Sequence, residues 1–461
     1  MRRLARPLAG WPVAGSRYRQ DGQALIYGLF VLIGGLAALF FLFNTGQLVR
    51  EKTKLVNASD AVAYSAGVMH ARALNFAAYT NRALVANEVG IAQMVSLSSW
   101  AQYVEQHGAS AVGLGCGTAS SLPVVEGMIL YTVVCESLAM FERSGALRVA
   151  AQAIQTTTAS MMIATEAAKA MLMASQSAMV GLMPVARQKV MQEVADANYA
   201  DDGAVEVDFI PLRDTFYGYS GAPIMYRYTG DERRRMGDVA VAAVGKDSFT
   251  PSREWQDTAI IPLCINPLPA WDWVYRSGAT TLASLDEWRA TDQATFVRHY
   301  PATHGWAHIP TCDEGPQTLG VGAQSAVNGS VQAASSGASS ADWAYSGIPN
   351  FYDLSNAARS SDDPRVQFVI RVKRAAAQTA TSEGRSAIRT TPRLNAYNGQ
   401  PASGIYAGLS ASEVFFARPV ARADGMSELG SLFNPYWQVH LIDVAEAQQL
   451  AALALQGAAA P

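Results

Sequence analysis

Charge is what this chain has least of. Asp, Glu, Lys and Arg make up 16% of its 461 residues, against about 25% in an average soluble domain, and alanine fills much of the difference. Such a surface suits packing against other chains. The formal charge is −3, with no basic excess to hold a polyanion, so nucleic acid is excluded as a partner. No internal repeat is present. Cysteine is sparse, at four residues with no CxxC pair, so neither a zinc knuckle nor a thioredoxin-type redox motif is expected.

Catalytic signatures are missing one by one. Gly218, Tyr219, Ser220 and Gly221 lack the spacing of a nucleophile elbow, and Gly245 with Lys246 is followed by Asp247 where a phosphate loop needs Ser or Thr. Gly113, Gly115 and Gly117 do not open a dinucleotide fold. The pairs Asp201 with Asp202 and Asp362 with Asp363 are sequence neighbours that suit solvated turns better than paired acid and base. His299, His304, His308, Cys312 and Asp313 offer zinc-type ligands, but Pro301, Gly305, Trp306 and Pro310 among them describe a turn-rich loop rather than a rigid metal motif. No enzyme, cofactor or metal site is expected.

What the chain does have is one long uncharged run, Gly22 to Val49. Its centre, Ala24 to Phe43, is long enough to cross a hydrocarbon core of about 30 Å at about 1.5 Å per helical residue. Ahead of it stand Arg2, Arg3, Arg6, Arg17 and Arg19 against Asp21, a +4 leader (residues 1–21) that resists translocation. A cleaved signal would carry a shorter core, of about 7–15 residues, ending at small residues. A single-pass protein with its amino end inside and residues 50–461 exported is expected, and the exported part carries the remaining −7. Export permits disulfides. Sequence order favours Cys116 with Cys135 and Cys264 with Cys312 among three connectivities, with four buried thiols as the alternative.

The span (22–49) runs on without proline as a stalk helix over 50–107, with Gly108 as the first breaker. Leu48, Leu55, Val62, Met69 and Phe76 recur every seven residues as one apolar seam, between which small alanines let another helix approach. The seam suits a partner helix or the rest of the same chain equally. Residues 108–200 read as helical, with a kink at Pro184 and methionines as adaptable core filling. Residues 201–461 read as strands and turns. Arg365 to Lys373 places Val366, Phe368, Ile370 and Val372 on one face, Glu413 to Val420 and Tyr436 to Val444 follow, Ala445 to Gln456 closes as a helix, and 320–346 reads as a mobile loop. The fold class is α+β: a membrane helix continuing into a stalk, a helical middle and a β-rich carboxyl-terminal region.

The residues just beyond the span, Leu55 to Ala66 (LVNASDAVAYSA), resemble the signature that follows the membrane helix of the TadE/TadG-like family, and Gly22 to Leu25 resemble its entry into the span. The motif positions are Asn57, Ala58, Asp60, Ala61, Ala63 and Ala66. The resemblance implies a pilin-like helix and a role in building Flp pili in the tight-adherence (Tad) secretion apparatus. It also implies a bacterial inner-membrane location with residues 50–461 periplasmic, and partners among pilin-like or assembly membrane proteins, with an oligomer through the stalk. Two family features are absent. Tyr27 stands where prepilin-type members carry glutamate, and Asp353 to Ala357 lacks the last serine of a metal-binding D-x-S-x-S loop. The expected role is structural and non-enzymatic. A membrane-anchored hydrolase or ligand-binding protein with a pilin-like anchor is the alternative.

Overall fold

Between Asp21 and Gly113 no proline removes a backbone donor, and straight-chain residues and alanine predominate. In the computed structural model, which describes residues 21–113, 137–261, 270–299, 316–329, 343–382, 384–386 and 404–456, this stretch is a single 93-residue helix, α1 (Asp21–Gly113), about 140 Å long at about 1.5 Å per residue. It does not stop at Gly108. A Cβ there would lie 2.4 Å from Leu147 Cδ1, so that glycine admits a close neighbour instead of ending the helix. Among the described residues α1 is the one helix long and apolar enough to cross a membrane, and none of its apolar window is covered by the rest of the chain.

Helix α2 (Ala146–Asn198) follows Gly145, whose φ of 75° suits glycine, and runs antiparallel to α1. Lys169 meets Glu88, Gln176 meets Thr80, Arg187 meets His70 and Tyr199 meets Glu51. The helix continues through Pro184. Met162, Met183 and Met191 are buried, whereas Met161 and Met171 are exposed.

Two sheets lie on α1. The first comprises β1 (Glu206–Val207), β2 (Arg213–Asp214), β10 (Val366–Ala375), β11 (Ile405–Phe416) and β12 (Trp437–Ile442), in the order β1-β10-β11-β12 with β2 also on β10. The second is β4 (Trp255–Ile261), β5 (Ala270–Ser284), β6 (Glu287–His299), β7 (Gln317–Asn328) and β8 (Trp343–Tyr345), antiparallel except for the β7–β8 pair. A two-stranded ribbon of β3 (Met225–Tyr228) and β9 (Phe351–Leu354) and the helices α3 (Arg234–Val244), α4 (Asn356–Arg359) and α5 (Glu446–Leu455) complete the fold. The α+β class and the closing helix agree with the sequence.

Part of the loop expected over 320–346 is strand β7 instead. Its glycines have a packing reason: a Cβ on Gly322 would stand 1.8 Å from Ser99 O, and one on Gly320 2.8 Å from His107 N. They let the strand lie directly on the α1 backbone. Gly408 does the same against Leu55 O, at 2.9 Å, and Gly67 of α1 against Val439 and Ser412.

The stalk, the helical middle and the sheets share their cores. Leu55, Ala58, Val62 and Ala66 pack with Met191, Tyr199, Phe368 and Ile370. Further along, Leu74 and Ala77 pack with Met183, Phe216, Val414 and Trp437, and Ile91 and Val95 with Met162, Trp288 and Trp343. The helix is the spine on which the rest of the chain is assembled.

Candidate functional site

The surface that the sequence singles out is α1 itself. Its first turns carry bare apolar side chains, with Leu25 at 78% and Phe30 at 71% exposure. The change of environment is abrupt. Asn44, one residue past the apolar run, is buried and its Oδ1 accepts the Ser382 amide at 2.9 Å. Two turns on, Glu51 Oε1 accepts from Tyr199 Oη at 3.0 Å and stands 3.4 Å from Arg374 Nη1, while Lys54 pairs with Asp202 at 2.5 Å. Burial pushes the Tyr199 phenol up, and the carboxylate of Glu51 beside it adds to the shift. The folded body therefore closes on α1 immediately above the apolar segment.

The seam residues divide. Leu55 and Val62 are buried in the chain's own core, Leu48 and Met69 are half-buried, and Phe76 is 38% exposed. A seven-residue repeat falls behind a straight helix by about 20° per heptad, so four heptads carry Phe76 about 80° round from Leu48 and off the buried face. The motif alanines Ala58, Ala63 and Ala66 face inward, Ala61 and Asp60 are half-buried, and Asn57 is exposed.

Three buried polar groups tie α1 to its neighbours. Glu88 lies in the apolar stripe of Leu84, Ile91 and Val95. Its carboxylate accepts from Trp288 Nε1 at 2.9 Å and Tyr345 Oη at 2.6 Å, with Lys169 Nζ at 3.2 Å. Lys169 also meets Glu166 at 2.5 Å and donates to Gly347 O at 3.0 Å. Burial raises the Glu88 carboxyl pKa against the opposing pull of Lys169, and raises that of Tyr345 further. Asp292 is held by Arg253 at 2.8 and 3.0 Å and by Ser99 Oγ at 2.8 Å. His70, stacked on Phe216 at 4.5 Å, lies with Nε2 2.8 Å from Arg187 Nη1, which also donates to Asp214 at 2.6 Å. Burial and then the Arg187 charge hold the His70 pKa well below its usual value, so the ring is neutral and accepts from Arg187.

These groups pair mainly with one another and join α1 to α2 and the sheets, while His70 Nδ1 and Arg187 Nε are buried without a hydrogen-bond partner. Sequence reading missed them. The available signal was a charge at an apolar position: Met162, Lys169, Gln176 and Met183 recur every seven residues and all four are buried. Among the described residues no group of three or more His, Cys, Asp or Glu could hold a metal. Cys116, Cys135, Cys264, Cys312, His304, His308 and the basic leader lie outside the described residues.

No curated protein and no solved structure matches the chain. Residues 22–73, from the entry of the apolar run to the middle of the packed helix, match the family described as putative Flp pilus-assembly TadE/G-like (Tad). The first helix therefore carries a TadE/G-like segment, as the motif from Leu55 to Ala66 indicates, and its apolar turns are a candidate membrane span.

Proposed function

We propose that the protein is a non-enzymatic, single-pass component of a Flp-type pilus assembly, anchored in the bacterial inner membrane with residues 50–461 in the periplasm. One observation carries this reading. The helix that contains the family-matched segment also runs through the cores of the folded body, so anchor and body share one continuous helix. A brace or scaffold needs that continuity, because a load applied to the body reaches the membrane without a hinge. The +4 leader supports the amino-end-inside orientation.

Deleting the gene tests the proposal. Surface pili and secreted pilin are expected to disappear and to return on complementation, and a deletion strain with normal piliation overturns it. Orientation is checked separately by a reporter fused after Pro461, which is expected to be active only outside the cytoplasm.

A further inference from the structure

One face of α1 above the apolar run carries a row of exposed side chains, interrupted where Lys54 meets Asp202 and Asn75 meets Trp437. Asn57, Tyr64, Arg72, Tyr79 and Arg82 follow one another at spacings of seven, eight, seven and three, which keeps them on one side of a 3.6-residue helix, with Arg50 at its lower end. All six are exposed, Tyr64 at 44% and Tyr79 at 62%. Ala86 is exposed on the same side, and a Cβ on Gly90 there would meet nothing within 4 Å.

The charge of this face is opposite to that of the body that carries it. Residues 50–461 total −7, yet Arg50, Arg72 and Arg82 make no ion pair among the described residues, and Asp60 at the flank is the one acid between Lys52 and Asn87. Elsewhere most cations near α1 are matched, as Lys54 is by Asp202, Lys169 by Glu88 and Arg187 by Asp214. Tyrosine and arginine are also the side chains that most often anchor protein interfaces.

We propose that this face docks an acidic helix of a different membrane-anchored protein, lying alongside α1 from the bilayer outward. A second copy of the chain does not fit, because a twofold contact would set the three arginines against their own equivalents. A helix fits the geometry. The row from Arg50 to Arg82 lies on one unbroken helix and is about 48 Å long at about 1.5 Å per residue, and it continues a segment whose apolar window is bare. Carboxylates on the partner near the levels of Arg72 and Arg82 would pair with the guanidinium groups, and Tyr64 and Tyr79 would pack between them. The seam residues Leu55 and Val62, on the opposite side, take no part.

The inference rests on the proposed assembly role and names the surface that serves it. Its test uses the full chain in its own cells, with a photo-crosslinking amino acid at Tyr64 or Tyr79 and, as a control, at Ala283 in β5. The expected product at both tyrosines is a heteromeric adduct whose crosslinked peptide is an acidic helix next to a membrane span, absent from the control. Arg72→Glu with Arg82→Glu is expected to lower its yield on the order of tenfold or more, and lysine substitutions in the partner helix are expected to restore it. Both arginines are exposed, so the melting temperature of the double variant should stay at the parent value. No adduct at either tyrosine, an adduct of the chain with itself, or a yield unchanged by charge reversal overturns the proposal. If deletion abolishes pili while the reversed variant keeps both adduct and pili, the docking face is wrong and the assembly role stands. Normal piliation on deletion removes the assembly role itself.

Discussion

At the scale of single residues, the buried charges are the most exposed to test. Glu88 and Lys169 are both fully buried, and removing the lysine leaves Glu88 without a counter-charge, whereas Lys169 has Glu166 as a second partner. Lys169→Met is expected to destabilise the protein by about 3–5 kcal/mol, whereas replacing Lys169 and Glu88 together by apolar residues should cost much less. Chemical denaturation of the two variants measures the difference. The value of the pair lies in register, because it fixes which turn of α2 faces which turn of α1.

His107 gives a pH signature. Its Nδ1 is 2.8 Å from Tyr103 Oη, and burial together with the nearby Arg276 charge lowers its pKa to about 4. In the unfolded chain it titrates near 6.5. The group is therefore held neutral in the fold, its contribution is complete above about pH 6.5, and stability is lost progressively as pH falls toward about 4. His70 has the same sign. His107→Gln should flatten part of the loss of melting temperature between pH 6.5 and 4, and an unchanged profile would show that the depressed pKa is absent.

At the scale of elements, the decisive contacts are between helix and strand backbones. Gly322 sits where a Cβ would enter Ser99 O, so Gly322→Ala must push β7 off α1, at an expected cost of about 1–3 kcal/mol. An exposed glycine with open space, such as Gly90, is the matched control, and alanine there should be neutral to stabilising because it favours the helix. Asn75 is the polar counterpart. Its amide both donates to Trp437 O at 2.9 Å and accepts from Trp437 N at 3.0 Å, completing the edge of β12 as a neighbouring strand would. Asn75→Ala should cost about 1–3 kcal/mol for the two backbone groups left unpaired, and faster hydrogen exchange at the Trp437 amide would report it.

The sequence made the elements legible where their pattern is local. The heptad seam, the α2 tract, the β10 alternation and the closing helix are all readable from period and breakers. It misled where a small residue serves a distant neighbour. Glycines in β7 read as loop, and Gly108 read as a stop, because a glycine required by close packing is indistinguishable in one dimension from a glycine required by a turn.

At the scale of the whole molecule, α1 contributes to the core against each sheet. The folded body is therefore expected to unfold in one cooperative transition, with far-ultraviolet circular dichroism and tryptophan fluorescence superimposable across denaturant. Two separated transitions would show that the sheets fold as independent units. Breaking the helix where anchor meets body, by Gly46→Pro, should loosen their coupling, leaving the Asn44 contact with the Ser382 amide below the break. The helical interior loses a hydrogen bond there, at about 3 kcal/mol or more, while the cores above Leu55 remain. Loss of pilus assembly with retained folding is the expected outcome of the assembly role.

By itself the sequence determined the anchor and the kinship: a run of uncharged residues long enough to cross a bilayer, a basic leader, and the motif from Leu55 to Ala66, all of which act through neighbours along one helix. Only the tertiary structure decided which side of that helix is occupied. The heptad seam turns into the chain's own core and drifts out of it by Phe76, and a row of arginines and tyrosines stays exposed on the other side. The cause is that helical period fixes which residues share a face, whereas burial depends on where strands hundreds of residues away are laid down.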